Sequence, residues 1–174
     1  MGWEDTIVFF NDWNRFDYSE PNELVDPRSG VICMPNNYLY ADDKELEEGV
    51  FRVTSLANFK LWTMLPQEEY QEQKNLWHKE LTNKGMTFLS PLENQSLEEL
   101  TVYVDIFTPR TIKKYTGHLG GAVYGAPNKS RNGLTHLENL YICGTDQGFL
   151  GIVGSMLSGI SMANLHILKK GTSS

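Results

Sequence analysis

The chain has 174 residues, of which 40% are apolar and 21% charged, the size and make-up of a folded protein with a real core. Its net charge of −7, without a Lys/Arg cluster, argues against nucleic acid as a partner, because attraction to phosphates dominates that binding. The start MGWEDTIVFF lacks the basic and long apolar regions of a leader, and no window approaches the ~18 apolar residues of a membrane span, so the sequence reads as soluble and cytoplasmic.

Taken in order, TIVFF (6–10) predicts a short strand ending in a polar NDWN turn. An irregular stretch containing Pro21, Pro27 and Gly30 precedes VICM (31–34), a second strand. The acidic tract beginning at Asp42 predicts a solvated turn or helical stub. In GVFRVTSLANF (49–59), Val50, Arg52 and Thr54 alternate with Phe51, Val53 and Ser55, as on a strand with unlike faces.

Pro66 suits the first turn of a helix over 66–84, where Tyr70, Trp77 and Leu81 share one face and Gly85 provides the stop. SLEE (96–99) fits a capping box that opens only a short turn, because TVYVDIF (101–107) returns to strand propensity. TPRTIKKY (108–115) predicts a short helix with Pro109 in its first turn. The glycine-rich GHLGGAVYGAPNKSRNG (117–133) reads as a loop, either ordered for function or mobile. LYIC (140–143) predicts a buried strand, and from Gly151 the pattern is helical, with Ile152, Met156, Ile160 and Ala163 in one stripe. Gly154, Ser155, Ser158 and Gly159 among them allow close approach of a backbone or a flat ligand, against a cost of about 1 kcal/mol for each interior glycine. Cys33 and Cys143, inside apolar runs, are expected as buried reduced thiols, and the sequence holds no CxxC pair or metal-ligand spacing.

The chemistry concentrates near the C-terminal end. A glycine turn between a strand and a helix brings unpaired amides toward an anion, as at a pyrophosphate. Asp146 could accept hydrogen bonds from sugar or ribityl hydroxyls; equally, Gly144 and Gly148 could simply make a tight turn with Asp146 capping the helix. The spacing is neither a P-loop nor GxGxxG. Tyr124 in the glycine loop could wall a flat ligand or belong to a surface hairpin. His118 and His136 are the best-placed titratable residues near that loop, whereas His78 reads as structural or solvated and His166 as a helix-surface residue. No acid/base residue or triad signature stands out.

TPRT (108–111), GGAVYG (120–125), ENLYICG (138–144), and Gly-x-Asp followed by GIVG and a small-residue helix occur in an order that resembles the C-terminal end of the phytoene-desaturase-like FAD-dependent oxidoreductases. Within that group the pattern is most similar to retinol saturases and carotenoid isomerases, and it covers about 60 residues. The resemblance implies FAD as cofactor, with Gly144, Asp146, Gly151, Ile152 and Val153 closing on it, and Tyr124 and Gly125 near the flavin ring and substrate. Thr145 stands where many relatives place the aspartate directly after the strand glycine.

The resemblance also implies an α+β chain with a β-sheet substrate region over 1–115 and the closing strand-turn-helix of an FAD domain over 116–174. Residues 1–40 carry no strand-GxGxxG-helix, so the ADP-gripping half is expected elsewhere in a longer parent, and this chain alone is expected to be inactive. The implied substrate is an apolar carotenoid- or retinoid-like isoprenoid, whose greasiness fits peripheral membrane contact of the parent. Trp3, Trp13, Trp62 and Trp77, together with the missing fingerprint, support an alternative: a non-catalytic lipid-binding or interaction module. A different nucleotide site would need patterned cations, and Lys113, Lys114, Lys129 and Arg131 form no pattern in sequence.

Overall fold

A computed structural model describes residues 2–41, 46–92, 95–126 and 128–168, so most of the acidic tract opening at Asp42 lies outside the described residues. The chain is α+β and divides into two compact units, Met1–Arg110 and Thr111–Ser174.

Unit 1 is built on an antiparallel sheet of order β1-β2-β3, comprising β1 (Ile7–Asn11), β2 (Val25–Cys33) and β3 (Arg52–Ala57). The two strands expected at 6–10 and 49–59 form close to their expected places. The segment expected to be irregular before residue 31 is a correction: β2 begins at Val25 and runs through Pro27 and Gly30. It does so because the ladder shifts register between Asp26 and Gly30, and a bulge is where proline can sit without removing a ladder bond. The Asp26 carboxylate closes this bulge, accepting from Arg28 N at 2.9 Å, Nε at 2.8 Å and Nη2 at 2.7 Å. The Arg28 guanidinium in turn lies 4.2 Å from the centroid of the Trp13 ring.

Helix α1 (Phe59–Met64) had no sequence expectation; Asn58 caps it, accepting from Leu61 N at 3.0 Å while its amide donates to Pro21 O at 2.6 Å. Pro66 is the N-cap of α2 (Gln67–Met86), one residue before the place expected for it. The Tyr70/Trp77/Leu81 face packs as the periodicity required, against a cluster of Val25, Trp62 and Leu65. Trp62 is buried, donates to Leu24 O at 2.8 Å and meets Tyr70 edge-on with centroids 5.7 Å apart. A second cluster holds Phe10, Ile32 and Met34, with Phe88 stacked on Phe10 at 4.7 Å.

Gly85 is not the helix stop. It lies buried inside the last turn, where a Cβ would press on Val53 Cγ2 at 3.0 Å, so the glycine serves helix-sheet packing. The capping box of α3 (Leu97–Leu100) is present in both directions between Ser96 and Glu99, and the helix is as short as expected. TVYVDIF is a further correction: 101–107 forms no strand, and Val102, Tyr103 and Phe107 are exposed. Strand propensity needs a ladder to express itself, and β1, β2 and β3 pair only with one another among the described residues.

Helix α4 (Pro109–Thr116) forms where TPRTIKKY predicted it. Thr108, before it, is buried and shares a 2.8 Å hydrogen bond with Tyr70 Oη, while Arg110 donates to Leu65 O and lies over the Tyr70 ring.

Unit 2 contains α5 (Gly151–Met162), followed by a wider π-helical turn over Ala163–Ile167, and a folded loop region before it. LYIC is corrected as well. Tyr141 makes only an isolated antiparallel bridge to Leu134, Leu140 is exposed, and no strand forms. The thiol expectation changes too: both cysteines are free, but Cys33 is half-buried and Cys143 exposed. Among the described residues no helix is long and apolar enough to cross a membrane.

Candidate functional site

The site expected from sequence lies wholly in unit 2 and is a loop folded onto a turn. Gly144–Asp146 form a 3-10 turn, entered through Gly144 at φ +83° and left through Gln147. Asp146 does not cap α5, whose N-cap is Leu150 with no side-chain hydrogen bond. Its Oδ1 instead accepts from Ala126 N at 2.7 Å, across 20 residues, while its main-chain oxygen accepts from Ser130 N at 2.9 Å.

Gly125 explains why the glycine loop needs its glycines here. Its φ is +76°, and a Cβ would overlap Asp146 Oδ1 and meet Thr145 Oγ1 at 3.0 Å. The structure therefore brings Gly125 and Asp146 together as a clasp, leaving Asp146 Oδ2 without a hydrogen bond among the described residues. Tyr124, beside Gly125, is exposed, and its carbonyl accepts from the Lys129 ammonium.

The remaining expected residues mark the start of α5. Gly151 has φ +71°, and Ile152 and Val153 point largely into solvent at 83% and 70% exposure. No side chain caps this first turn, so its amides are orphan donors at the positive end of a 12-residue helix. The Ile152/Met156/Ile160 stripe is exposed rather than packed. Among the small residues, Gly154 sits where a Cβ would meet the Phe149 main chain at 3.2 Å, whereas Gly159 faces open space.

A cavity of about 370 Å³ opens directly before that turn, lined by Lys129, Arg131, Gln147, Gly148, Phe149 and Leu150. Two cations that formed no pattern in sequence thus share one concavity with the approach to the helix N-terminus, and Arg131 makes no ion pair among the described residues.

Sequence reasoning missed the groups that hold this arrangement. Ser158 is fully buried, accepts from Gly144 N at 2.6 Å and donates to Gln147 Oε1. Gln147, also buried, donates from Nε2 to Arg131 O at 2.8 Å. A serine in a small-residue helix and a glutamine in a turn carry no periodic signal that would have singled them out.

Each histidine of unit 2 has its own surroundings. His118 Nδ1 lies 2.8 Å from Ala122 O in its own turn, His136 is exposed, and His78 is half-buried on α2. His166 stacks on Tyr141 at 4.3 Å and meets Asn132 O at 2.7 Å, so it fastens the end of the helical segment to the loop. No metal-binding cluster occurs among the described residues. The site offers anion donors, one half-engaged carboxylate and an apolar margin. No family model, curated protein or solved structure matches the chain.

Proposed function

We propose that unit 2 is the cofactor-closing part of an FAD-dependent oxidoreductase that desaturates, saturates or isomerises double bonds of a carotenoid- or retinoid-like isoprenoid. The observation that carries the reading is the cavity before α5, where Lys129 and Arg131 face the approach to an uncapped helix N-terminus. Cations and orphan amides are the donor set a pyrophosphate requires. Asp146 Oδ2 adds an acceptor for hydroxyls of the kind a ribityl chain carries. The residues thus fit part of the group and leave its adenine and ribose to be held by another part of the parent enzyme.

Flavin, when bound, supplies hydride exchange with a carbon-carbon double bond. This chain's residues bind and orient: the cations neutralise phosphate charge, Gly125 lets the loop lie close on Asp146, and Phe149 and Leu150 give the cavity an apolar margin. No side chain here is assigned a proton-transfer role, and the isolated chain is expected to be inactive.

Titration of FAD, ADP and riboflavin at low salt tests the reading. A half-site is expected to hold FAD with a Kd on the order of 1 mM, about 4 kcal/mol. Binding follows the pyrophosphate: riboflavin binds far more weakly, and R131A or raised salt abolishes the difference. Equal binding of FAD and riboflavin, or an unchanged affinity in R131A, would falsify the assignment.

The alternative, a non-catalytic interaction module, draws on the exposed Val102, Tyr103 and Phe107 of unit 1. It predicts binding of isoprenoid lipid without any FAD response.

A further inference from the structure

We infer that Ser158 is a positioning residue: its one hydroxyl sets the place of Ala126, of the cation-bearing segment 128–132 and of Asp146 relative to α5. Its role toward a ligand rests on the flavin-site reading above, whereas the mechanical linkage rests on hydrogen bonds alone.

The linkage runs in three steps. Ser158, on the buried side of α5, holds both ends of the 144–147 turn, accepting from Gly144 N at 2.6 Å and donating to Gln147 Oε1. The turn then holds the loop at three points: Asp146 Oδ1 on Ala126 N, Asp146 O on Ser130 N, and Gln147 Nε2 on Arg131 O. Lys129 and Arg131 lie within the span of those anchors, so the position of the cations is inherited from the turn, and that of the turn from Ser158.

The chemistry makes the hydroxyl hard to replace. A hydroxyl both donates and accepts, and Ser158 uses both capacities in a place with no solvent exposure. Removing it leaves the Gly144 amide and the Gln147 carbonyl without that partner, at a position closed to solvent. Met162, one turn further along, is buried as well, and a Cβ on Gly133 would overlap its sulfur, so α5 also touches the loop by packing. Packing can keep unit 2 folded while the turn loosens, which makes the relay separable from overall stability.

Amide hydrogen exchange of the full chain in S158A, S158C and S158T tests this. In S158A the amides of Gly144, Ala126 and Ser130 are expected to exchange roughly tenfold faster, as for loss of one buried hydrogen bond, with Gly117 in the same unit unchanged. S158C keeps the shape with a poor hydrogen-bonding group and is expected to behave like S158A; it also serves if alanine prevents folding. S158T, which restores the hydroxyl, is expected to recover protection at Ala126. Faster exchange at Gly144 with Ala126 unmoved overturns the relay, and so does uniform acceleration that includes Gly117. These readouts need no ligand, so they stand if wild type fails to bind FAD; a preserved relay without FAD binding would sink only the flavin reading.

Discussion

Replacing Gly125 by alanine probes the clasp at its tightest point. The added methyl must occupy space now held by Asp146 Oδ1, and the backbone must keep φ near +76°. A left-handed residue with a Cβ costs about 1.5 kcal/mol. Displacing Asp146 forfeits its bond to Ala126 N, a charge-assisted contact worth about 1.5 kcal/mol at the low end appropriate to an exposed amide. G125A is therefore expected to cost about 3 kcal/mol, D146A about 1.5, and the double variant about 3 again, because without the carboxylate only the backbone strain is added. The coupling is about 1.5 kcal/mol, well beyond the 0.3–0.5 kcal/mol scatter of independent sites. All four tryptophans, Trp3, Trp13, Trp62 and Trp77, lie in unit 1, so their fluorescence is a poor witness. Hydrogen exchange of unit 2 amides under native conditions gives the local free energies. Additivity of the two substitutions would refute the clasp.

Three further outcomes concern unit 1, where tryptophan fluorescence during urea unfolding is the natural assay. W62A is expected to lose about 3–5 kcal/mol, since it empties a buried ring site and frees the Leu24 carbonyl; a loss below 1 kcal/mol would contradict the core assignment. N58A is expected to cost about 1–2 kcal/mol, because one side chain caps α1 and ties it to Pro21, and N58D is expected to keep the cap but lose the Pro21 tie. The Arg28 hydrogen bonds hold Asp26 below its ordinary value of 3.8, so its contribution is complete above that value and is lost as pH falls through the folded value. The urea midpoint is expected to fall in acid, and D26N to flatten part of that slope. Asp17, held down by Ser19, keeps some of it, and an unaltered acid limb in D26N would count against the bulge closure.

The sequence by itself determined what depends on near neighbours. The Tyr70/Trp77/Leu81 face, the Ser96–Glu99 box, the Pro109 start of α4 and the opening of α5 at Gly151 are all set within a turn or two of chain. Composition and alternation likewise sufficed for β1 and β3. What only the tertiary structure decided depends on partners far along the chain. TVYVDIF has strand chemistry but no paired strand among the described residues, and LYIC finds only the isolated Tyr141–Leu134 bridge, so propensity went largely unexpressed. Pro27 and Gly30 entered β2 because a bulge and the Asp26–Arg28 link accommodate them, and Gly85 is small because Val53 lies against it. At the candidate site, Gly144 and Asp146 stood out in the sequence and Gly125 through the resemblance, but their mutual engagement did not. Lys129 and Arg131 reach the mouth of α5, and Ser158 reaches Gly144, only because the loop folds back across 14 to 20 residues. Hydrogen bonds over that distance leave no periodic trace, since nothing in local spacing records which buried hydroxyl an amide will find.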